Sequence, residues 1–328
     1  MLFFLIFLPF KSLGLEPISD QEMKKRLKLF DYDKTQTKKK KQTTKAFYHN
    51  HRAYNLVLTG DDPTSNNPLE VKFTYYKNTI GGKKNFRNMS VKVRKRPLII
   101  IVPPILDQTP LDYALGKYLV KKGYHIFLMK FGDSVNDPKR PLNKTDDWAR
   151  RVTTRFRLLI DYAQSLPEIE KENIGAYGMS LGGCLIGLFI GVEKRLKAGV
   201  MIVGGGNLPY ILSHSEQFIV KRYIKARMKA ENIKTKFDVE KYLQQTLKID
   251  SLYFAKRRRI NKQFAYMVIS EDDTAVPTKA QYDLYNALEK PQLKKFPKGH
   301  FKAILKNLKR VNHDHIFNFF ARSIGHVK

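Results

Sequence analysis

Three residues in the second half of the chain have the types and the order that nucleophilic catalysis needs. Ser180 stands in the stretch "GMSLG", which fits the pattern G-x-S-x-G. A serine hydroxyl is a weak nucleophile at neutral pH and needs a base that an acid holds in place. Asp273 and then His300 follow Ser180 along the chain, so the three could form a catalytic triad.

The glycines around Ser180 indicate how the hydroxyl could be exposed. "NIGAYG" ahead of the serine predicts a strand, and "LGGCLIGLFIGVEKRL" after it predicts a helix. In such a strained turn the flanking backbone comes too close for side chains, which Gly178 and Gly182 lack. Gly183 would serve the packing of the helix on the sheet. The alternative is a tight strand-to-helix turn with an idle serine.

The acid and the base each follow a predicted strand. Asp273 stands in "MVISEDDTAVPT", where Glu271 and Asp272 are rival acids that we expect to be solvated. His300 stands beside a glycine in "FPKGHFKAIL", after the last short strand. The carboxyl ends of parallel strands meet at one edge of a sheet, which would place both side chains near Ser180. Seven other histidines lie elsewhere: His49, His51, His125, His214, His313, His315 and His326.

Two backbone N–H groups are the expected donors of an oxyanion hole. One belongs to Leu181, the residue after the nucleophile. The other should come from the loop after the strand "PLIIIV", which begins with two prolines. Because proline has no N–H, Ile105 is the first donor in that loop.

The elements that must position these residues alternate between strands and helices. "RPLIIIVPPIL" is continuously apolar, which is typical of a strand buried on both faces. Further strands and helices follow in turn, so we predict an α/β fold with a mostly parallel central sheet flanked by helices. Residues from about 207 to 262 interrupt this rhythm. They read as amphipathic helices with an excess of Lys and Arg, and we predict a helical cap there.

The first 46 residues read differently from the rest. Residues 1–15 form a short apolar run that suits a signal peptide, which predicts export to the periplasm or secretion. A misassigned start and a cytoplasmic protein are the alternative. Residues 16–46 contain "KTQTKKKKQTTK", and we expect a basic, flexible segment because like charges repel. The folded domain is expected to span residues 47–328.

Composition limits the partners and the chemistry. The 328 residues include 61 Lys and Arg against 30 Asp and Glu, a formal net charge of +31. Such a charge favours anionic partners, although a general lysine bias would produce it too. The single cysteine, Cys184, excludes a disulfide within the chain and is expected to be a small buried side chain. No set of residues has the spacing of metal ligands.

From about Leu98 to the C-terminus the chain resembles the α/β-hydrolase superfamily. The matching stretches are "IIIVPPIL", "YGMSLGG", "EDDTAVP" and "GHF", in the order of that family. The stretch after the first central strand also resembles polyhydroxyalkanoate synthases, which have a cysteine as nucleophile where this chain has serine. "SLGG" and "GGGN" are more loosely similar to acetyl xylan esterases and dienelactone hydrolases. The resemblance implies an α/β-hydrolase fold with Ser180, Asp273 and His300 as the triad.

These observations predict a serine hydrolase that cleaves a carboxylic ester through an acyl-enzyme and needs no cofactor. A peptidase or a thioesterase on the same fold is the first alternative, and a non-catalytic protein that binds anionic polymers is the second. The expected substrate is a small-molecule or polymer-borne ester, on an anionic surface or beside lipid headgroups. No specific nucleic acid is expected, and the oligomeric state stays open.

Overall fold

The computed structural model describes most of the chain, namely residues 18–34, 37–47, 51–79, 94–257, 264–297, 299–307 and 310–325. The signal peptide predicted for residues 1–15 lies outside these described ranges. Within them, no helix combines the length and the apolar character needed to cross a membrane.

One nine-stranded sheet organises the molecule, in the order β1-β2-β3-β5-β4-β6-β7-β8-β9. The first three strands are antiparallel, and β3 joins β5 in antiparallel pairing. From β5 onward all neighbouring strands are parallel. The strands are β1 Lys38–Phe47, β2 His51–Gly60, β3 Leu69–Asn78, β4 Arg96–Val102, β5 His125–Met129, β6 Ile169–Met179, β7 Leu196–Ile202, β8 Ala265–Ser270 and β9 Gln292–Phe296.

The central strands are buried on both faces, as their continuous apolar runs predict. Every residue of β4, β5 and β8 is buried. Helices α3, α4 and α9 share one hydrophobic cluster with the sheet, and α2, α10 and α11 share the other. The helices outside the cap are α1 Asp20–Lys28, α2 Pro110–Lys121, α3 Thr145–Ser165, α4 Leu181–Val192, α9 Thr278–Ala287, α10 His300–Asn307 and α11 Arg310–Ile324.

A helical cap lies between β7 and β8, in the interval where the sequence predicts one. It consists of α5 Leu208–His214, α6 Phe218–Ala230, α7 Lys236–Thr246 and α8 Ser251–Ala255. Apolar side chains of α5, α6 and α7 form a separate small core that also includes Leu142. The last residues predicted for the cap, 258–262, lie outside the described part of the chain.

The segment predicted to be flexible, residues 16–46, contains regular structure. Ser19 caps α1 by accepting a hydrogen bond from the N–H of Glu22. The lysine-rich stretch continues into β1, which pairs with β2 at one edge of the sheet. Lys38 and Lys39 are exposed there, so their charges remain hydrated while the backbone is paired. The prediction of a flexible segment is wrong for β1, because pairing with β2 orders this strand in spite of the repulsion between its lysines.

Candidate active site

Ser180 occupies the sharp turn between β6 and α4. Its backbone has φ 56° and ψ −123°, a conformation that residues with a side chain rarely adopt. Two hydrogen bonds hold the turn: the N–H of Ser180 donates to the carbonyl of Ile202 at 2.9 Å, and its own carbonyl accepts from the N–H of Cys184 at 3.0 Å. Strain of this kind persists only where the surroundings impose it, and it marks functional turns.

The neighbouring glycines leave no room for side chains. A Cβ on Gly178 would lie 2.4 Å from the carbonyl carbon of Gly182. A Cβ on Gly182 would lie 2.3 Å from the carbonyl oxygen of Val102, at the end of β4. A Cβ on Gly183 would lie 2.9 Å from the Cα of Gly204, where α4 crosses the end of β7. The glycines therefore bring the serine turn, β4 and β7 into backbone contact.

The structure brings Ser180, Asp273 and His300 together at the carboxyl edge of the sheet. Nδ1 of His300 lies 2.7 Å from Oδ2 of Asp273, and Nε2 lies 3.0 Å from Oγ of Ser180. A carboxylate only accepts hydrogen bonds, so the ring donates from Nδ1. Nε2 is then left to accept the proton of the serine hydroxyl.

Asp273 is distinguished from its two acidic neighbours by burial and by hydrogen bonds. Glu271 and Asp272 are exposed, whereas the carboxylate of Asp273 is buried. Its Oδ1 accepts from the backbone N–H groups of Ala275 at 2.9 Å and Val276 at 3.0 Å. Hydrogen bonds of this kind fix the carboxylate in one orientation, with Oδ2 facing the imidazole.

Gln281, on α9, is a residue of the site that the sequence reasoning missed. Its Nε2 donates to Oδ2 of Asp273 and to the carbonyl of Val276, both at 2.8 Å. Its Oε1 accepts from the backbone N–H of Ser270 at 3.0 Å. The side chain is fully buried and links the end of β8 to the acid. No local pattern in the sequence points to this role, because its partners come together only on folding.

The predicted oxyanion donors lie on adjacent segments. Leu181 is the first residue of α4, so its N–H has no acceptor within the helix and the positive end of the helix dipole lies beside it. The loop after β4 contacts this turn, since a Cβ on Gly182 would also lie 2.7 Å from the carbonyl oxygen of Pro103. Ile105, further along that loop, packs against the cap core. The two N–H groups remain a prediction as oxyanion donors.

The structure places two of the other histidines in structural roles. His125 is buried on β5, where its Nδ1 lies 3.1 Å from the hydroxyl of Tyr75 and accepts from the N–H of Asn78. Burial lowers the pKa of His125 to about 4. His214 belongs to α5 of the cap, where its ring stacks on Tyr210 with 4.1 Å between the centroids. Neither histidine contacts Ser180.

A small cavity of about 40 Å³ lies beside the serine turn. Leu181 and Cys184 line it from α4, and Trp148 lines it from α3. The cap contributes Leu208 and Ile211, so sheet helices and cap helices enclose it together. Burial raises the pKa of the Cys184 thiol, which accepts from the N–H of Gly205, to about 12.

Comparisons with known proteins agree with this architecture. The family model described as "BAAT / Acyl-CoA thioester hydrolase C terminal" matches residues 156–301, which include all three residues of the candidate triad. A search of curated protein sequences finds no match.

Similar solved structures include two acetyl xylan esterases. The enzyme from Thermoanaerobacterium sp. JW/SL YS485 is 16% identical, with a TM-score of 0.65 over 92% of each chain. The enzyme from Paenibacillus sp. R4 is 14% identical, with a TM-score of 0.65 over 94% of this chain and 96% of its own. An acylaminoacyl peptidase from Pyrococcus horikoshii is 15% identical, with a TM-score of 0.55 over 87% of this chain and 50% of its own. The chain has the α/β-hydrolase fold.

Proposed function

We propose that this protein is a serine hydrolase that cleaves carboxylic esters through an acyl-enzyme. The observation that carries the proposal is the continuous hydrogen-bond relay from Ser180 through His300 to the buried carboxylate of Asp273. The strained backbone at Ser180 supports it, since an idle serine in a simple turn has no need of such a conformation.

In the proposed mechanism His300 takes the proton of Ser180 as the hydroxyl attacks the substrate carbonyl. Asp273 keeps the imidazole in the required tautomer and stabilises its charged form. The N–H groups of Leu181 and Ile105 stabilise the negative charge on the carbonyl oxygen. His300 then protonates the leaving alcohol. In the second half, His300 takes a proton from water as the water attacks the acyl-enzyme, and it returns that proton to Oγ of Ser180 as the acid is released.

We infer that the substrate carries a short acyl group. The cavity beside Leu181 and Cys184 has only about 40 Å³, and its walls are largely apolar. Two of the similar structures are named as acetyl xylan esterases, whose printed names specify an acetyl group. We therefore expect acetyl esters to react faster than long-chain esters, because a longer chain must displace the packed side chains of α3 or α4.

A thioester hydrolase is the second candidate, because a specific observation favours it. The matching family model is described as an acyl-CoA thioester hydrolase domain and includes Ser180, Asp273 and His300. The same relay of side chains would attack a thioester carbonyl, so the distinction depends on the leaving group. Paired acetyl oxyester and acetyl thioester substrates, compared by kcat/KM, distinguish the two candidates.

The direct test is covalent labelling with a fluorophosphonate probe. We expect the wild-type protein to be labelled and Ser180→Ala to lose labelling completely. His300→Ala should lose most of it, because the hydroxyl then has no base. His315→Ala is the matched control, since His315 is exposed on α11, and it should label like wild type. Absence of labelling in a folded wild-type protein would refute the proposal.

A further inference from the structure

Exposed large apolar side chains belong to segments that carry the candidate site or contact it. In the described ranges five such side chains are exposed, between 56% and 73% of their surface. We call this set the apolar rim. It consists of Leu106, Phe218, Phe237, Phe301 and Leu305.

Three members of the rim belong to segments that carry the candidate site. Leu106 follows Ile105 in the loop after β4. Phe301 follows His300 directly, and the two ring centroids are 5.7 Å apart. Leu305 lies one helical turn further along α10, on the same exposed side as Phe301.

The two other members, Phe218 and Phe237, belong to the cap. The cap contacts the loop between β8 and α9 that carries Asp273, which we call the acid loop. Phe218 begins α6, two residues after Glu216, whose N–H donates to the carbonyl of Thr274 at 2.7 Å. Thr274 is the residue after Asp273. Phe237 is the second residue of α7. It follows Lys236, whose ammonium lies 3.4 Å from the carboxylate of the same Glu216. The rim therefore borders the triad from the β4 loop, from α10 and from the cap.

The helices that carry the rim also present basic side chains to solvent. On α6, positions three, four, seven and eleven after Phe218 share its exposed side, while Val220, Tyr223 and Ile224 are buried. Those four exposed positions are all Lys or Arg. The exposed basic residues of α6, α7 with the turn before it, and α10 are Lys221, Arg222, Lys225, Lys229, Lys234, Lys236, Lys241, Lys302 and Lys306.

Fewer acidic side chains of these helices and of the acid loop are exposed, and one of them is Asp272, beside Asp273. Glu216 is exposed but is paired with Lys221 at 2.6 Å and with Lys236. Asp238 is exposed at the start of α7, where its carboxylate accepts from Thr235. Glu271, in the acid loop, accepts a hydrogen bond from the hydroxyl of Tyr282, and its Oε1 lies 3.5 Å from Nζ of Lys295. The surface around the site is thus apolar at several points and basic between them.

We propose that this surface docks on an anionic lipid bilayer, with the apolar rim inserted among the acyl chains and the lysines facing lipid phosphates. Exposed phenylalanines flanked by lysines are the combination that interfacial helices use. Each buried phenylalanine supplies hydrophobic free energy, and each lysine near an anionic surface adds electrostatic attraction. The delivery of lipid-borne esters to Ser180 from this surface rests on the proposed function, whereas the docking itself does not.

A second copy of the chain is a poorer occupant for the same surface. Pairing two such faces would bring their lysines together in a protein of net charge +31, and like-charge repulsion opposes that contact. An anionic bilayer neutralises these charges while it covers the rim, so charge complementarity selects it.

Co-sedimentation of the full-length protein with lipid vesicles tests the docking. We expect binding to phosphatidylcholine vesicles that contain phosphatidylglycerol, and little binding to pure phosphatidylcholine. Raising NaCl from about 0.1 M to about 0.5 M should weaken the binding, because salt screens surface charges. The double variant Phe218→Ser/Phe237→Ser should lower the affinity about tenfold or more, since two apolar side chains are lost.

Matched variants distinguish docking from general charge effects and from misfolding. Lys225→Gln/Lys229→Gln should weaken vesicle binding, whereas Lys117→Gln/Lys121→Gln, with the same loss of charge on α2, should not. The phenylalanine and lysine variants should hydrolyse a soluble acetyl ester at the wild-type rate. Vesicle binding by Ser180→Ala should equal that of wild type, so that a failure of the proposed function is separable from a failure of docking.

Three results would overturn the inference. The first is equal binding to neutral and anionic vesicles, or binding to neither. The second is a phenylalanine double variant that binds vesicles like wild type. The third is a double variant that changes only the oligomeric state or only the KM for a soluble long-chain acyl-CoA, which would assign the rim to a second copy or to a substrate chain.

Discussion

The carboxylate of Asp273 is held by four donors: two backbone N–H groups, the amide of Gln281 and the imidazole of His300. Such a shell orients the carboxylate before any substrate arrives. The hydroxyl of Ser180 depends on this arrangement, since only an imidazole that donates from Nδ1 can accept at Nε2. In the proposed mechanism, the acid therefore acts at the scale of single residues by fixing a tautomer.

Replacing Asp273 by Asn tests this role. The amide can donate to Nδ1 and so stabilise the wrong tautomer, which should lower kcat by about 10⁴-fold with little change in KM. Steady-state kinetics on a soluble acetyl ester measure both constants. Glu271→Gln is the control, because Glu271 is exposed and contacts Tyr282 rather than His300. A similar loss in both variants, or none in Asp273→Asn, would contradict the assignment.

Residue types and chain order were sufficient to nominate the three triad candidates that the fold brings together. They were not sufficient to find Gln281, because a buried glutamine within a helix has no distinctive local pattern. Its importance arises from three contacts with segments that the chain brings together only on folding.

Helix α2, which follows the loop of Ile105, begins with a capping box between Thr109 and Asp112. Oδ2 of Asp112 accepts from the N–H of Thr109 at 2.8 Å and from its hydroxyl at 2.6 Å. The side chain is fully buried, and burial raises the pKa of Asp112 from 3.8 to about 6. Helix α2 thus has, in its first turn, a carboxyl group that resists ionisation.

This burial predicts a pH-dependent stability. Between pH 3.8 and about 6 the unfolded chain releases the proton of Asp112 before the folded chain does, so the free energy of unfolding falls as pH rises through this window. Asp112→Asn keeps an acceptor but has no charge to bury. Relative to wild type it should gain about 2 kcal/mol between pH 4.5 and 7.5, measured by denaturant unfolding.

The control for this prediction is a second capping box. Asp238 accepts from Thr235 in the same way at the start of α7, but it is exposed and its charge stays hydrated. Asp238→Asn should therefore show no comparable gain with pH. If the free energy of unfolding changed with pH in the same way for Asp112→Asn and wild type, the buried-charge explanation would be disproved.

Apolar pattern predicts the parallel strands well, because a strand buried on both faces must be apolar throughout. The strand at the edge of the sheet is harder to predict from the sequence. Strand β1 has no such pattern, and its hydrogen bonds depend on β2, which lies further along the chain. Lysines are frequent on edge strands since their charges discourage pairing with other chains. A run of lysines therefore fits an edge strand as well as an unordered segment, and the sequence alone does not separate them.

At the scale of the whole molecule, two aspartates hold the base of the cap. Asp250 is buried and accepts from the backbone N–H groups of Asn207, Leu208 and Leu252, which connects the start of α5 to the start of α8 within the cap. Asp146, half-buried on α3, accepts from the N–H groups of Lys248 and Ile249. Asp250 thus ties the two ends of the cap together, and Asp146 fastens the cap to a helix of the sheet layer.

Removing the Asp250 carboxylate should loosen this attachment. Asp250→Ala leaves three N–H groups without this acceptor, two of them buried and that of Leu208 half-buried, which should lower the free energy of unfolding by about 3 kcal/mol. Asp250→Asn keeps one acceptor oxygen and should lose less. Urea unfolding measures the stability, and the ratio of acetyl to octanoyl ester turnover shows whether the cavity has opened. A loss below about 1 kcal/mol in Asp250→Ala would contradict this role.

The raised pKa of Cys184, a half-buried residue, has a practical consequence. It is the single cysteine of the chain, and its raised pKa keeps it a thiol, which reacts poorly with alkylating reagents. A cysteine introduced on the surface would then carry nearly all of any maleimide label, without prior removal of the native one. Because the native cysteine should take up little label, a fluorophore attached to a cysteine at position 218 or 237 could report the polarity of its surroundings.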